Sequence, residues 1–260
     1  MKKIFLIIIS LFLITNAFAD KCYNPVATPL ILESDKKPGR FFEDQPDVND
    51  DYQVHFFYVL AKDSKDEEID VNGWLEKRLT TVNNKFEKWS KKNKKSNGVG
   101  QKFKFDYRKD GKIDITFVRM DLTKAGLPKY PELLIYGFLS QYNYFNNPKK
   151  TYAIFTGFNA KAGNSHGGSG SVPITTIFTP AVKSYGITDM DIIILHELFH
   201  TQGASYKCGK RTYDGAHVKG SDVLGSGGTT IDLNTPIRYL LNTISGIHVF
   251  LMTVQLLNLG

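Results

Sequence analysis

Residues 52–61, YQVHFFYVLA, are dense in aromatic and β-branched side chains and do not alternate with polar ones. A strand with one wet face shows period two, so a strand without it has to be covered on both faces. A chain that contains such a strand needs a layer of structure on each side of its sheet. The spacing elsewhere supplies it. Leu75, Leu79, Val82, Phe86 and Trp89 recur at helical intervals and form one face of a long amphipathic helix starting near Trp74. Residues 132–145, ELLIYGFLSQYNYF, follow Pro131 and precede an Asn-Asn-Pro stop, which predicts a second helix. Residues 151–158 and the segment ITTIF read as further strands. Alternating flanks around Lys109-Asp110-Gly111 predict a hairpin. His55 lies within the apolar strand and reads as a core or edge histidine. The pattern predicts a single α/β domain built on a twisted mixed sheet with backing helices.

The first nineteen residues carry Lys2 and Lys3, an apolar stretch over 4–14, and small residues at Ala17 and Ala19. This is the form of a secretory signal peptide, and the stretch is short for a membrane span. The mature chain is therefore expected to be exported, periplasmic or secreted, without stable membrane insertion. Its removal lowers the net charge from +7 to +5. The basic stretch over 91–102, KKNKKSNGVGQK, has no interleaved aromatics and no groove-reading motif, so it reads as a solvated loop and not as a nucleic-acid surface. Residues 20–50, with four prolines, are expected to form an extended arm, and residues 51–260 the domain proper, with a smaller irregular part from about 204. Two cysteines, Cys22 and Cys208, survive export, and an even count in an oxidising compartment reads as one disulfide. The apolar C-terminal segment IHVFLMTVQLLNLG, fourteen residues with polar interruptions, reads as a packed helix. The Gly/Ser-rich stretch over 162–173 reads as a flexible connection, and His166 within it and His248 near the end carry no spacing argument.

The segment DIIILHELFH, ending at His200, is apolar almost all round yet contains His196, Glu197 and His200. Burying three ionisable groups without a purpose costs stability. On a helix, His196 and His200 are four apart and share a face, so both imidazoles reach one ion. Neutral imidazole is a good Zn²⁺ ligand, and the adjacent glutamate is placed to act on a metal-bound water as general base. The pattern points to one zinc ion per chain and to attack of a metal-activated water on a carbonyl, with Glu197 taking the proton.

The longer stretch HELFHTQGA resembles the metzincin clan of zinc endopeptidases, whose pattern is HExxHxxGxxH followed by a methionine turn. Gly203 stands at the position of the helix-breaking glycine. The position of the third ligand holds Tyr206. Further on, AHVKGSDVLG resembles exported bacterial metzincin-like peptidases that carry a Gly-His-Val and a Ser-Asp-hydrophobic-Met stretch, with Ala216 before His217 and Leu224 at the methionine position. The resemblance implies a zincin fold and a catalytic domain acting on peptide or protein substrates. It implies His196, His200 and His217 as zinc ligands, with Asp222 the alternative third ligand and Asp214 behind it. Tyr206 or Tyr213 would assist at the oxyanion. The competing reading is a catalytically inactive secreted module that keeps the zincin fold for binding or structure.

Overall fold

A computed structural model of the chain describes residues 27–92, 98–161, 167–171, 173–184 and 186–202. Six strands are formed: β1 (Pro29–Leu30), β2 (Gln53–Ala61), β3 (Ile115–Met120), β4 (Lys150–Thr156), β5 (Gly168–Ser171) and β6 (Ile174–Phe178). The helices are α1 (Trp74–Lys92), α2 (Glu132–Gln141), α3 (Thr179–Ser184) and α4 (Ile187–Thr201). The sheet order is β1-β3-β2-β4-β6-β5. The four inner strands are parallel to one another, while β1 on β3 and β5 on β6 are antiparallel. This is a mixed α/β architecture, as the sequence predicts.

Every residue of β2 is buried. Val54, Phe56, Tyr58 and Leu60 point to one face, where they meet Leu75, Leu79, Val82 and Phe86 of α1 and Leu195, Leu198 and Phe199 of α4. Phe57, Val59 and Ala61 point to the other face, against Ile135, Phe138 and Leu139 of α2. Each fully buried Phe, Leu or Val contributes about 1.5–3 kcal/mol of transfer free energy, which explains why this strand tolerates no polar alternation. Asn72 caps α1 by accepting the Trp74 N–H at 2.9 Å.

Three local outcomes differ from the sequence pattern. The hairpin at Lys109-Asp110-Gly111 forms, with Gly111 at φ 79° and an antiparallel bridge between Tyr107 and Ile113, but only its second flank continues as a sheet strand. On the first flank Phe103 and Phe105 turn into the core, and the Asn83 side chain engages the Phe103 N–H at 2.8 Å and its carbonyl at 2.9 Å. Those backbone groups are then satisfied without a strand partner. The second helix stops at Gln141, because Asn143 adopts φ 58° and turns the chain so that Tyr144 and Phe145 pack beside Phe57. The Gly/Ser stretch contributes β5 in place of a featureless connection, for a reason that lies in the site.

Residues 27–48, expected as an extended arm, instead carry β1, a 3-10 turn at Glu33–Asp35 and a turn at Gly39 with φ 81°, and they are tied down by charge. Arg119 donates to both oxygens of the buried Asp35, at 2.7 and 2.9 Å, and Arg40 donates to Asp66 and Asp70. Among the described residues, no helix is long and apolar enough to cross a membrane. The proposed signal peptide, Cys22, His166, Gly203, Tyr206, Cys208, Tyr213, Asp214, His217, Asp222, Leu224 and His248 lie outside the described residues.

Candidate metal centre

The helix α4 is held from both sides. Ile194, Leu195, Leu198 and Phe199 are sunk in the core, and the buried Asp191 accepts from Arg78 at 3.3 Å and Lys85 at 2.8 Å, both on α1. At the far end the Gln202 amide donates to Thr151 Oγ1 of β4 at 3.2 Å. These anchors fix the rotation of the helix and turn His196, Glu197 and His200 toward β5 and β6.

Helical spacing does the rest. The Nε2 atoms of His196 and His200 lie 3.0 Å apart, and the rings sit nearly at right angles with centroids 4.7 Å apart. Two nitrogens bound to one tetrahedral zinc at about 2.05 Å would be separated by roughly 3.3 Å, so the donor pair fits such an ion with little adjustment. His200 is buried and His196 half-buried. The proposed third donor, His217 or Asp222, belongs to the segment outside the described residues.

Glu197 is 5% exposed. Burial pushes its carboxyl up to about 8, opposed by the hydrogen bond from Thr175 and reinforced by the Glu132 carboxylate nearby. A cation at the imidazole pair acts in the opposite sense and favours the carboxylate. Thr175 Oγ1 lies 3.0 Å from Glu197 Oε2 and 3.1 Å from the Ser169 carbonyl oxygen.

The packing of α4 explains why β5 has glycine at alternate positions. A Cβ at Gly168 would come within 2.6 Å of the Glu197 carboxyl, and one at Gly170 within 2.7 Å of both His200 Cβ and Thr175 Oγ1. Side chains at these alternate positions would occupy the space that Glu197 and His200 fill. Phe178 donates to the Gly167 carbonyl at 3.0 Å, and Ser169 pairs with Thr176. Antiparallel alternation then turns the backbone N–H and C=O groups of Gly168 and Gly170 outward. Among the described residues no strand pairs with that outer edge. The sequence reading found the three ionisable groups of α4 and missed Gly168, Gly170, Thr175 and Tyr136. The period-two glycines in GSGS were the only trace of the close approach.

A second polar group lies on the opposite face of the sheet. Asp44, His55, Asp106 and Asp114 bring one donor atom each within 4.8 Å of one another, and such a group could hold a metal ion. A cation is already there. Lys150 Nζ sits 2.6 Å from Asp106 Oδ2 and 2.7 Å from carboxylate oxygens of Asp44 and Asp47. His55 bridges Asp106 at 2.8 Å and Thr116 at 2.9 Å. Burial works against the Asp106 carboxylate, but hydrogen bonds from His55 and Lys150 outweigh it and hold its pKa below the ordinary range. His55 is thus a core histidine whose partners are satisfied, and the network ties residues 44–47 to the ends of β2 and β4.

No family model matches the chain, and no curated protein matches it. Among solved structures, the fold is weakly similar to OgpA from Akkermansia muciniphila. One wild-type crystal structure is 16% identical with a TM-score of 0.49, covering 81% of this chain and 63% of that chain. A second is 16% identical with a TM-score of 0.45, covering 66% and 52%. A catalytically inactive form in complex with an O-glycopeptide substrate, glycodrosocin, is 13% identical with a TM-score of 0.43, covering 70% and 53%. In each comparison this chain spans less than two thirds of OgpA.

Proposed function

We propose that the chain is an exported zinc-dependent endopeptidase. The observation that carries this reading is the convergence of His196 and His200 Nε2 at 3.0 Å beside the buried Glu197. His196 and His200 would hold the metal together with His217, or with Asp222 in its place. Zinc bound there would supply a Lewis acid and a water whose pKa lies near ~7. Glu197 would take the proton of the attacking water at Oε1, since Oε2 is engaged by Thr175, and would pass it to the leaving amine.

The edge of β5, unpaired among the described residues, supports a peptide substrate. Outward N–H and C=O groups at Gly168 and Gly170 match those of an extended chain added as a further strand. The absence of side chains at both glycines lets Glu197 and His200 lie against β5, which brings the imidazole pair close to that edge. A secreted module without turnover has no use for a carboxylate buried in this position, whose desolvation costs stability.

The test is zinc content measured together with hydrolysis of a mixed peptide library, with and without a chelator. About one zinc per chain and chelator-sensitive cleavage are expected. Glu197→Gln should keep the zinc and lower the rate by several orders of magnitude. Absence of transition metal after expression with zinc, with no stabilisation on adding it, would sink the reading.

A further inference from the structure

We propose that Thr175 is a positioning residue for Glu197, an inference that rests on the zinc-peptidase reading above. Thr175 is fully buried on β6, on the face turned to α4, and its hydroxyl has two acceptors within reach: Glu197 Oε2 at 3.0 Å and the Ser169 carbonyl at 3.1 Å. A hydroxyl carries one proton and cannot serve both fully. The competition is relieved from the other face of the sheet. Tyr136 of α2 places its hydroxyl 3.2 Å from the same Ser169 carbonyl and donates to it, while Thr176 donates to Tyr136 at 3.3 Å. Burial raises the Tyr136 pKa well above its usual value, so that donor keeps its proton. With Ser169 supplied by Tyr136, the Thr175 proton is left for Glu197.

The arrangement fixes the carboxylate rotamer and couples it to the strand that would receive the substrate. Thr175 Oγ1 touches β5 and Glu197 at once, so the base and the substrate-binding edge keep a constant spacing. Oε2 is then held by Thr175, and Oε1, which lies against Gly168, is the oxygen left to take a proton. A misaligned base weakens an interaction made in the transition state and leaves ground-state binding as it was.

The experiment uses the zinc-loaded full chain and compares Thr175→Val, Thr175→Ser and Tyr136→Phe. Elemental analysis gives the zinc content, and kcat and KM come from a quenched fluorescent peptide cleaved by the parent. Thr175→Val should keep zinc and KM while kcat falls about 10–100-fold, the loss typical of removing a group that orients a site residue. Thr175→Ser, which restores the hydroxyl, should recover most of kcat. Tyr136→Phe should lower kcat by less than Thr175→Val, because it makes Ser169 compete for the Thr175 proton without removing it. If Thr175→Val does not fold, Thr175→Ala, which only deletes atoms, gives the same comparison. Undiminished kcat in Thr175→Val, loss of its zinc, or a serine variant as impaired as the valine variant overturns the positioning role and leaves the peptidase reading intact. A parent without zinc, or whose cleavage survives chelation, overturns that reading and this inference with it.

Discussion

Replacing Gly168 by alanine probes the contact between β5 and α4 with a single methyl group. The backbone at this position does not require glycine, since its φ is not in the left-handed region; only space forbids a side chain. The new Cβ would lie 2.6 Å from Glu197 Cδ and Oε1, whereas ordinary van der Waals contact begins at 3.4 Å. The carboxylate has to retreat by about 0.8 Å, which its χ angles allow at the expense of the Thr175 hydrogen bond. A displacement of ~1 Å in a reacting group lowers the rate by about 10²-fold, or roughly 2.7 kcal/mol of transition-state stabilisation. Stability should change less. Overpacking costs about 1–3 kcal/mol, and the smaller backbone entropy of the unfolded alanine chain offsets ~0.4–1 kcal/mol of it. The expected outcome is a folded, zinc-containing variant with a slightly lower Tm and a kcat about two orders of magnitude below the parent. The measurements are thermal melting, elemental analysis and steady-state kinetics on one peptide. A Gly168→Ala protein with the parent's kcat would show that Glu197 does not work from the position against β5, and the assignment of the base would fall.

Gly170→Ala should behave differently, because its Cβ meets His200 Cβ, which belongs to the helix frame and cannot swing away; zinc content should drop along with activity, and retention of full zinc would contradict the contact. Lys150→Met removes the ammonium from among the carboxylates of Asp44, Asp47 and Asp106. Breaking a buried pair in this way costs about 3–5 kcal/mol, visible as a lowered denaturation midpoint at neutral pH, with part of the loss recovered in mild acid. Asp114 gives a pH dependence of opposite sign to the usual carboxylate. Burial raises its pKa to about 6, against the pull of His55 and the Gln45 N–H and with the help of Asp106 and Asp44. The folded state therefore binds the Asp114 proton more tightly than the unfolded chain does, and stability from this group is present below pH ~4 and lost as pH rises toward ~6. Asp114→Asn should flatten that slope and raise stability at pH 7 by ~1–3 kcal/mol, read from denaturant titrations across pH; a neutral-pH loss instead would mean the carboxylate is needed charged, beside Lys150 and His55.

What could be read in the sequence was whatever a local period encodes. The burial of β2 on both faces, the stripe of α1, and the shared face of His196 and His200 all follow from spacing within one element, and the structure reproduces them. β5 was opaque because glycine and serine carry little strand propensity. What demands them is Glu197, about thirty positions further along, a tertiary requirement that a local reading of the stretch does not contain. Thr175 was hidden for the same reason, as one of two adjacent threonines in an unexceptional strand. The network around Lys150 was less visible still, since its members are scattered from residue 44 to residue 150 with no common spacing.

The two polar groups are separated by the sheet itself, and β4 shows how strictly. Thr151 points to the face of α4 and receives the Gln202 amide that anchors the end of that helix. Lys150, its neighbour in the chain, serves the opposite face and gathers Asp44, Asp47 and Asp106. Because strand side chains alternate, a slip of one residue in the pairing of β4 with β2 would exchange the two. It would turn an ammonium toward α4, on the face that carries the histidine pair, and leave the acidic group without its cation. Like charge beside two imidazoles opposes the binding of a metal cation, and buried carboxylates without a partner oppose folding. The register Val54 to Thr151 and His55 to Tyr152 is thus held by both groups at once. The charge network that pins the N-terminal segment also keeps lysine away from the candidate metal centre.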